Sequence, residues 1–98
     1  SFTWIDDVVT GFLDAAAANV ASGSTFNIGS TEEISIMDLA LKIISISNHA
    51  EGIIHTQGYN GDSNRRLPDI ANAQQQLGWQ AEVTLDEGLR KMWFELNP

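Results

Sequence analysis

At 98 residues the chain has room for one domain and one core. Thirteen acids against five bases give a formal net charge of −8, and no basic run or basic helix face is present, so neither a nucleic-acid groove nor an anionic membrane surface fits as a partner. The absence of cysteine excludes a disulfide scaffold and thiolate metal sites and agrees with a reducing cytoplasm, the expected location, and no apolar run approaches the ~20 residues of a membrane span.

Ser1 to Ile5 reads as a short strand of aromatic and β-branched residues. Its start, Ser-Phe-Thr-Trp without a methionine, lies inside an apolar segment and is read as a cut in a longer polypeptide. Asp6 or Asp7 then offers an N-cap, with the alternative that one of them orients a neighbouring backbone, and Ile5, Val8, Val9, Phe12, Leu13 and Ala16 follow at helical spacing. Asn19 to Gly23 ends that helix, and Thr25 to Gly29 reads as a second strand. Ser35 with Asp38 three residues on resembles a capping box. Behind it Ile36, Leu39, Ala40, Ile43 and Ile44 make an amphipathic helix, with Met37, Leu41 and Ile46 off its main face. A helix apolar on more than one side is expected to be covered twice.

Ile53 to Gln57 reads as a third strand, and Gly58 to Leu67 is the longest polar stretch. Pro68 or Asp69 opens a short helix through Ile70, Ala73 and Leu77, stopped by Gly78. Thr84 with Glu87 is a second capping box, leading a last helix of Leu85, Leu89, Met92, Trp93 and Leu96. The fold class expected is therefore mixed α/β, four helices with about three short strands, over a single domain spanning residues 1–98.

The missing motifs narrow the chemistry. No glycine-rich turn with dinucleotide-binding spacing follows a strand, since Gly58 and Gly61 lie in a polar loop. The one tyrosine, Tyr59, is followed four residues later by Ser63, so a Tyr-x-x-x-Lys acid/base pair is impossible. His49 and His55 are too far apart for a one-turn metal pair and no Cys or H-E-x-x-H is present, so no metal site is expected. No serine stands in a nucleophile elbow. Arg65 and Arg66 are adjacent, the one place in so acidic a chain where an anion would bind well.

Three segments resemble a known family. Ser1 through Val9 (SFTWIDDVV) is similar to its S-F-T-Y-I-D-D-V-V. Phe26-Asn27-Ile28-Gly29-Ser30 with Glu32 through Ile36 resembles its F-N-I-G-S-x-E-E-I-S-I. Gly61 through Ile70, then Leu77-Gly78-Trp79, is similar to its G-D-x-x-R-R-x-P-D-I and L-G-W. The family is the extended short-chain dehydrogenase/reductases: nucleotide-sugar epimerases, 4,6-dehydratases and UDP-glucuronate decarboxylases.

The resemblance implies the C-terminal, nucleotide-sugar-binding lobe of such an enzyme without its Rossmann domain. NAD would be the cofactor of the parent enzyme, with none held by this chain, and catalytic residues would lie elsewhere. Arg65 and Arg66 match the arginines that reach the substrate's phosphates, a role suited to guanidinium forks, and Asp62 matches a candidate for a ribose hydroxyl. The alternative for the arginines is a solvated pair neutralising Asp62 and Asp69. Asp69 reads as a helix cap, Trp79 as core, and Asn27 and Gly29 as structural. The family often carries an arginine just before the position of Ser1, and without it a free nucleotide should bind weakly, at about millimolar affinity.

Two functions follow as expectations. One is the nucleoside-diphosphate-sugar-binding region of an NAD-dependent epimerase or dehydratase, inactive alone and docking to a Rossmann domain. The other is a standalone, self-associating interaction module that kept the fold and lost catalysis.

Overall fold

The computed structural model describes residues 1–18, 23–48, 52–58 and 66–97. In chain order the elements are helix α1 (Ile5–Ala17), helix α2 (Ile36–Ser47), a single π-helical turn (Ala73–Leu77) and helix α3 (Leu85–Leu96). Among the described residues there is no β-strand, which corrects the expected mixed α/β class with three short strands. Residues 1–4, 25–29 and 53–57 carry strand-like sequence. A strand, however, exists only when a neighbour closes its backbone ladder, and no such ladder forms here. Segments 1–4 and 27–32 are joined through hydroxyls instead.

The helices form where capping and periodicity place them, with one shift. The N-cap of α1 is Trp4, without a side-chain cap, two or three residues before the expected Asp6 or Asp7. Those two acids fall in its first turn, where a carboxylate meets the positive end of the helix dipole. Ser35 caps α2 by accepting from the Asp38 N–H at 3.0 Å, and Asn48 closes it in the left-handed region, φ 55°. Thr84 caps α3 through the Glu87 N–H at 3.2 Å and donates its hydroxyl to the Glu87 carboxylate, also at 3.2 Å. Both expected capping residues thus act as caps.

The short helix near residue 70 starts at Ala71, whose N–H donates to Asp69 Oδ1 at 3.0 Å, as expected of a capping aspartate. It widens to a π turn and ends at Gly78, φ 66°, where a side chain would be strained. The Trp79 N–H reaches back to the Ala73 carbonyl at 3.1 Å, closing the end in a Schellman-type bond. That reversal drives Trp79 into the core.

The buried core is small: Ile70, Ala73 and Trp79, with Ile28, Leu77 and Ala81 packed around them. Helix α1 packs on the π turn and α2 on α3. The molecule is a slab of 51 × 37 × 16 Å with a radius of gyration of 16.4 Å, against roughly 12.5 Å for a compact domain of this length. Sixteen ångströms is little more than one helix diameter, so the elements lie in about one layer. No residue of α2 is buried, in keeping with a helix apolar on more than one side and covered on one.

Candidate functional site

The segments carrying the family motifs lie far apart in sequence and meet at one place. Ser1 donates its hydroxyl to the Ser30 carbonyl at 2.6 Å, and the Ser30 N–H donates to Thr3 Oγ1 at 2.9 Å. The Ser1 backbone nitrogen donates to the Arg66 carbonyl at 3.1 Å. Asn27 Nδ2 donates to the Asp69 carbonyl at 3.2 Å, and a Cβ on Gly29 would stand 3.0 Å from Pro68 Cγ. Residues 1–3, 27–30 and 66–69 therefore form one knot, spanning 65 positions of sequence between Ser1 and Arg66. Beside it a polar recess of about 230 Å³ is lined by Thr25, Asn27, Asp69, Ala71 and Asn72.

Of the sequence-derived site residues, Arg66 lies in this knot, exposed, with its carbonyl held by Ser1. Arg65 and Asp62 lie outside the described residues. Asn27 and Gly29 take the structural roles expected of them. The hydroxyls of Ser1 and Thr3 were not singled out by sequence reasoning. Short hydroxyl side chains are common, and only their contacts with the Ser30 backbone distinguish these two.

A second set of contacts holds the knot against the core. Asp7 is 8% exposed, and its Oδ2 accepts from the N–H groups of Glu82 and Val83 at 3.1 and 3.0 Å. The Asp7 carbonyl accepts from Trp79 Nε1 at 2.9 Å. One turn on, Gly11 allows close approach: a Cβ there would stand 2.9 Å from Ile28 Cγ2 and 3.2 Å from the Trp79 indole nitrogen. Asp7 thus works as a latch between α1 and the segment after Trp79, the backbone-orienting alternative to a cap.

On the far side, Asp86 joins α3 to α2 by accepting from Arg90 at 2.8 Å and approaching Lys42 at 3.7 Å. The Arg90 hydrogen bond is the main cause that holds the Asp86 carboxyl below its ordinary value, with the nearby charges of Arg90 and Lys42 adding to it.

The helix N-termini of this chain do not suit a dinucleotide's pyrophosphate. Each α-helix already carries one or two carboxylates in its first turn: Asp6 and Asp7, Asp38, or Asp86 and Glu87. A pyrophosphate would meet like charge at every such end. Among the described residues no group of three His, Cys, Asp or Glu side chains could hold a metal ion, and no helix is long and apolar enough to cross a membrane. The knot offers hydroxyls, amides and one guanidinium, a set suited to gripping an anion or a polyol.

Comparison with known proteins agrees with this arrangement. The family model described as GDP-mannose 4,6 dehydratase matches residues 1–92. UDP-glucuronic acid decarboxylase 1 of Danio rerio is 34% identical over 91 residues, 93% of this chain and 21% of that protein. GDP-mannose 3,5-epimerase of Arabidopsis thaliana is 33% identical over 94 residues, 96% of this chain and 24% of that protein. The chain thus spans about a fifth to a quarter of the length of these relatives. Among solved structures, the Bordetella bronchiseptica enzyme WbmF in complex with NAD+ and UDP superposes with a TM-score of 0.75 at 34% identity, over 95% of this chain and 28% of that one. UDP-glucose 4-epimerase of Thermotoga maritima, solved with UDP-glucose, gives a TM-score of 0.86 at 24% identity, over 98% of this chain and 31% of that one, a likeness of fold. With the family model matched over residues 1–92 and the motif segments knotted together, the chain belongs to the GDP-mannose 4,6-dehydratase type of the NAD-dependent nucleotide-sugar epimerase/dehydratases, extended short-chain dehydrogenase/reductases.

Proposed function

We propose that residues 1–98 form a single domain, the nucleoside-diphosphate-sugar-binding region of an NAD-dependent epimerase, dehydratase or decarboxylase. On its own it binds the nucleotide weakly and does not turn it over. The observation that carries this reading is the knot of residues 1–3, 27–30 and 66–69, which brings Arg66 onto the N-terminal segment. Arg65 and Arg66 grip the diphosphate, since planar guanidinium forks match phosphate oxygens two bonds at a time. Asp62 accepts from a ribose hydroxyl. The chain contains neither a glycine-rich dinucleotide turn nor a Tyr-x-x-x-Lys pair, which supports placing hydride transfer and acid/base steps outside it.

The test is the equilibrium affinity of the chain for UDP, GDP and uridine, each with the wild type and an Arg65→Ala/Arg66→Ala double variant. Affinity in the range of about a millimolar for the diphosphates, lost in the double variant and absent for uridine, is the expected result. Equal affinity for uridine and UDP would overturn the diphosphate reading.

A further inference from the structure

We propose that Asn27 is a positioning residue for the substrate's diphosphate, acting through Arg66: its amide sets the direction in which segment 66–69 leaves the core. This rests on the nucleotide-binding reading above, and it assigns to Asn27 a part that the reading does not use.

Segment 66–69 is short and stiff. Its end Cα atoms can stand at most about 11 Å apart. Pro68 fixes its own φ and disfavours helical backbone at Leu67 before it. With so few free dihedrals the segment moves as a unit, and whatever orients the Asp69 end also orients Arg66.

Three neighbours hold the segment. At the Asp69 end, Ile70 is buried and Asp69 Oδ1 accepts from the Ala71 N–H at 3.0 Å. That ties Asp69 to the core but does not fix the plane of the peptide joining it to Ile70. Asn27 fixes that plane, its Nδ2 donating to the Asp69 carbonyl at 3.2 Å from 42 positions away. In the middle, the Gly29 backbone lies against the Pro68 ring, where a Cβ would stand 3.0 Å from Pro68 Cγ. At the other end the Ser1 backbone nitrogen donates to the Arg66 carbonyl at 3.1 Å.

Asn27 suits a role in binding beyond its structural one. It is exposed, whereas Gly29 and Ser30 beside it are buried, and it lies outside the core of Ile70, Ala73 and Trp79. Its removal therefore leaves the core packing as it is. A guanidinium grips a diphosphate best when it is held in place beforehand, because each anchor missing from the free chain must be made good from the binding energy. One neutral hydrogen bond released in this way corresponds to about two- to tenfold in affinity.

The experiment is a double-mutant cycle on UDP affinity, read by NMR titration of the full chain. It compares wild type, Asn27→Ala, Arg66→Ala and the two together, with far-UV circular dichroism reporting that each is folded. Asn27→Ala is expected to weaken UDP about two- to tenfold and, without ligand, to shift the amides of Arg66 and Leu67. The double variant is expected to bind as Arg66→Ala does, within about twofold, because Asn27 then has nothing left to position. A wild type that does not bind UDP overturns the nucleotide reading and this inference with it. A wild type that binds, with Asn27→Ala equal to it, overturns this inference alone. Losses that multiply in the double variant would mean that Asn27 acts on the nucleotide independently of Arg66, and overturn it too. Should Asn27→Ala fail to fold, Gly29→Ala presses on the same segment through Pro68 and enters the same cycle, with the same outcomes for and against.

Discussion

Replacing Asp7 with alanine should cost this protein a large part of its stability, although the residue is a carboxylate on a helix. The substitution leaves the Asp7 carbonyl and its bond to Trp79 in place, since that acceptor is backbone. It removes the one carboxylate oxygen that accepts from both Glu82 and Val83. An N–H left without a partner away from water costs about 1–3 kcal/mol, and both groups here are part-buried, so the lower half of that range applies to each. The sum is about 2–4 kcal/mol, offset by roughly 0.5 kcal/mol for alanine's better helix propensity. A chain of this length is stable by about 5–15 kcal/mol in total. Urea unfolding followed by far-UV circular dichroism would read the loss, and the melting temperature should fall by on the order of 10–20 °C. Asp7→Asn keeps one amide oxygen as acceptor and should fall between the two. Asp6→Ala is the control: Asp6 is exposed, its side chain accepts from Trp4 Nε1 at 3.3 Å, and the variant should lose under about 1 kcal/mol. An Asp7→Ala protein as stable as Asp6→Ala would refute the latch.

Gly11→Val should destabilise by about 1–3 kcal/mol despite the helical position, because even a Cβ would press on Ile28 and the Trp79 indole, and thermal unfolding would show it. A stability equal to wild type would mean that α1 can move off the core. Asp86 should titrate below 3.8 in the folded chain, and Arg90→Ala should move it back towards that value, as carboxyl carbon shifts followed against pH would show. A carboxyl lowered on folding stabilises the native state above its unfolded value and loses that contribution as pH falls through its folded value. The Asp86 share of stability is thus complete at neutral pH and disappears in the acid range below about pH 4.

The helices were legible in the sequence because their signals are local. Ser35 and Thr84 cap as their spacing to Asp38 and Glu87 implies, and Gly78 stops its helix where a left-handed residue was needed. Strands were over-read for the opposite reason. Thr25 to Gly29 has strand composition, yet a ladder is a property of two segments, and composition reports on one. For Asp6 and Asp7 the sequence left cap and backbone-orienting roles open, because a carboxylate in a first turn reads as a cap while the partners of Asp7 stand 75 and 76 residues away. The site was legible only through the resemblance. Arg66 falls in the knot, but the hydroxyls of Ser1 and Thr3 that tie it to the Ser30 backbone have no sequence signature of their own.

The most direct test of the nucleotide-binding account is a heteronuclear NMR titration of the chain with UDP, read amide by amide. The account predicts shifts confined to residues 61–66 and to the segments of the knot at 1–3 and 27–30, saturating in the range of about a millimolar. A well-dispersed spectrum unmoved at several-fold that concentration, or shifts centred where α2 packs on α3, would contradict it.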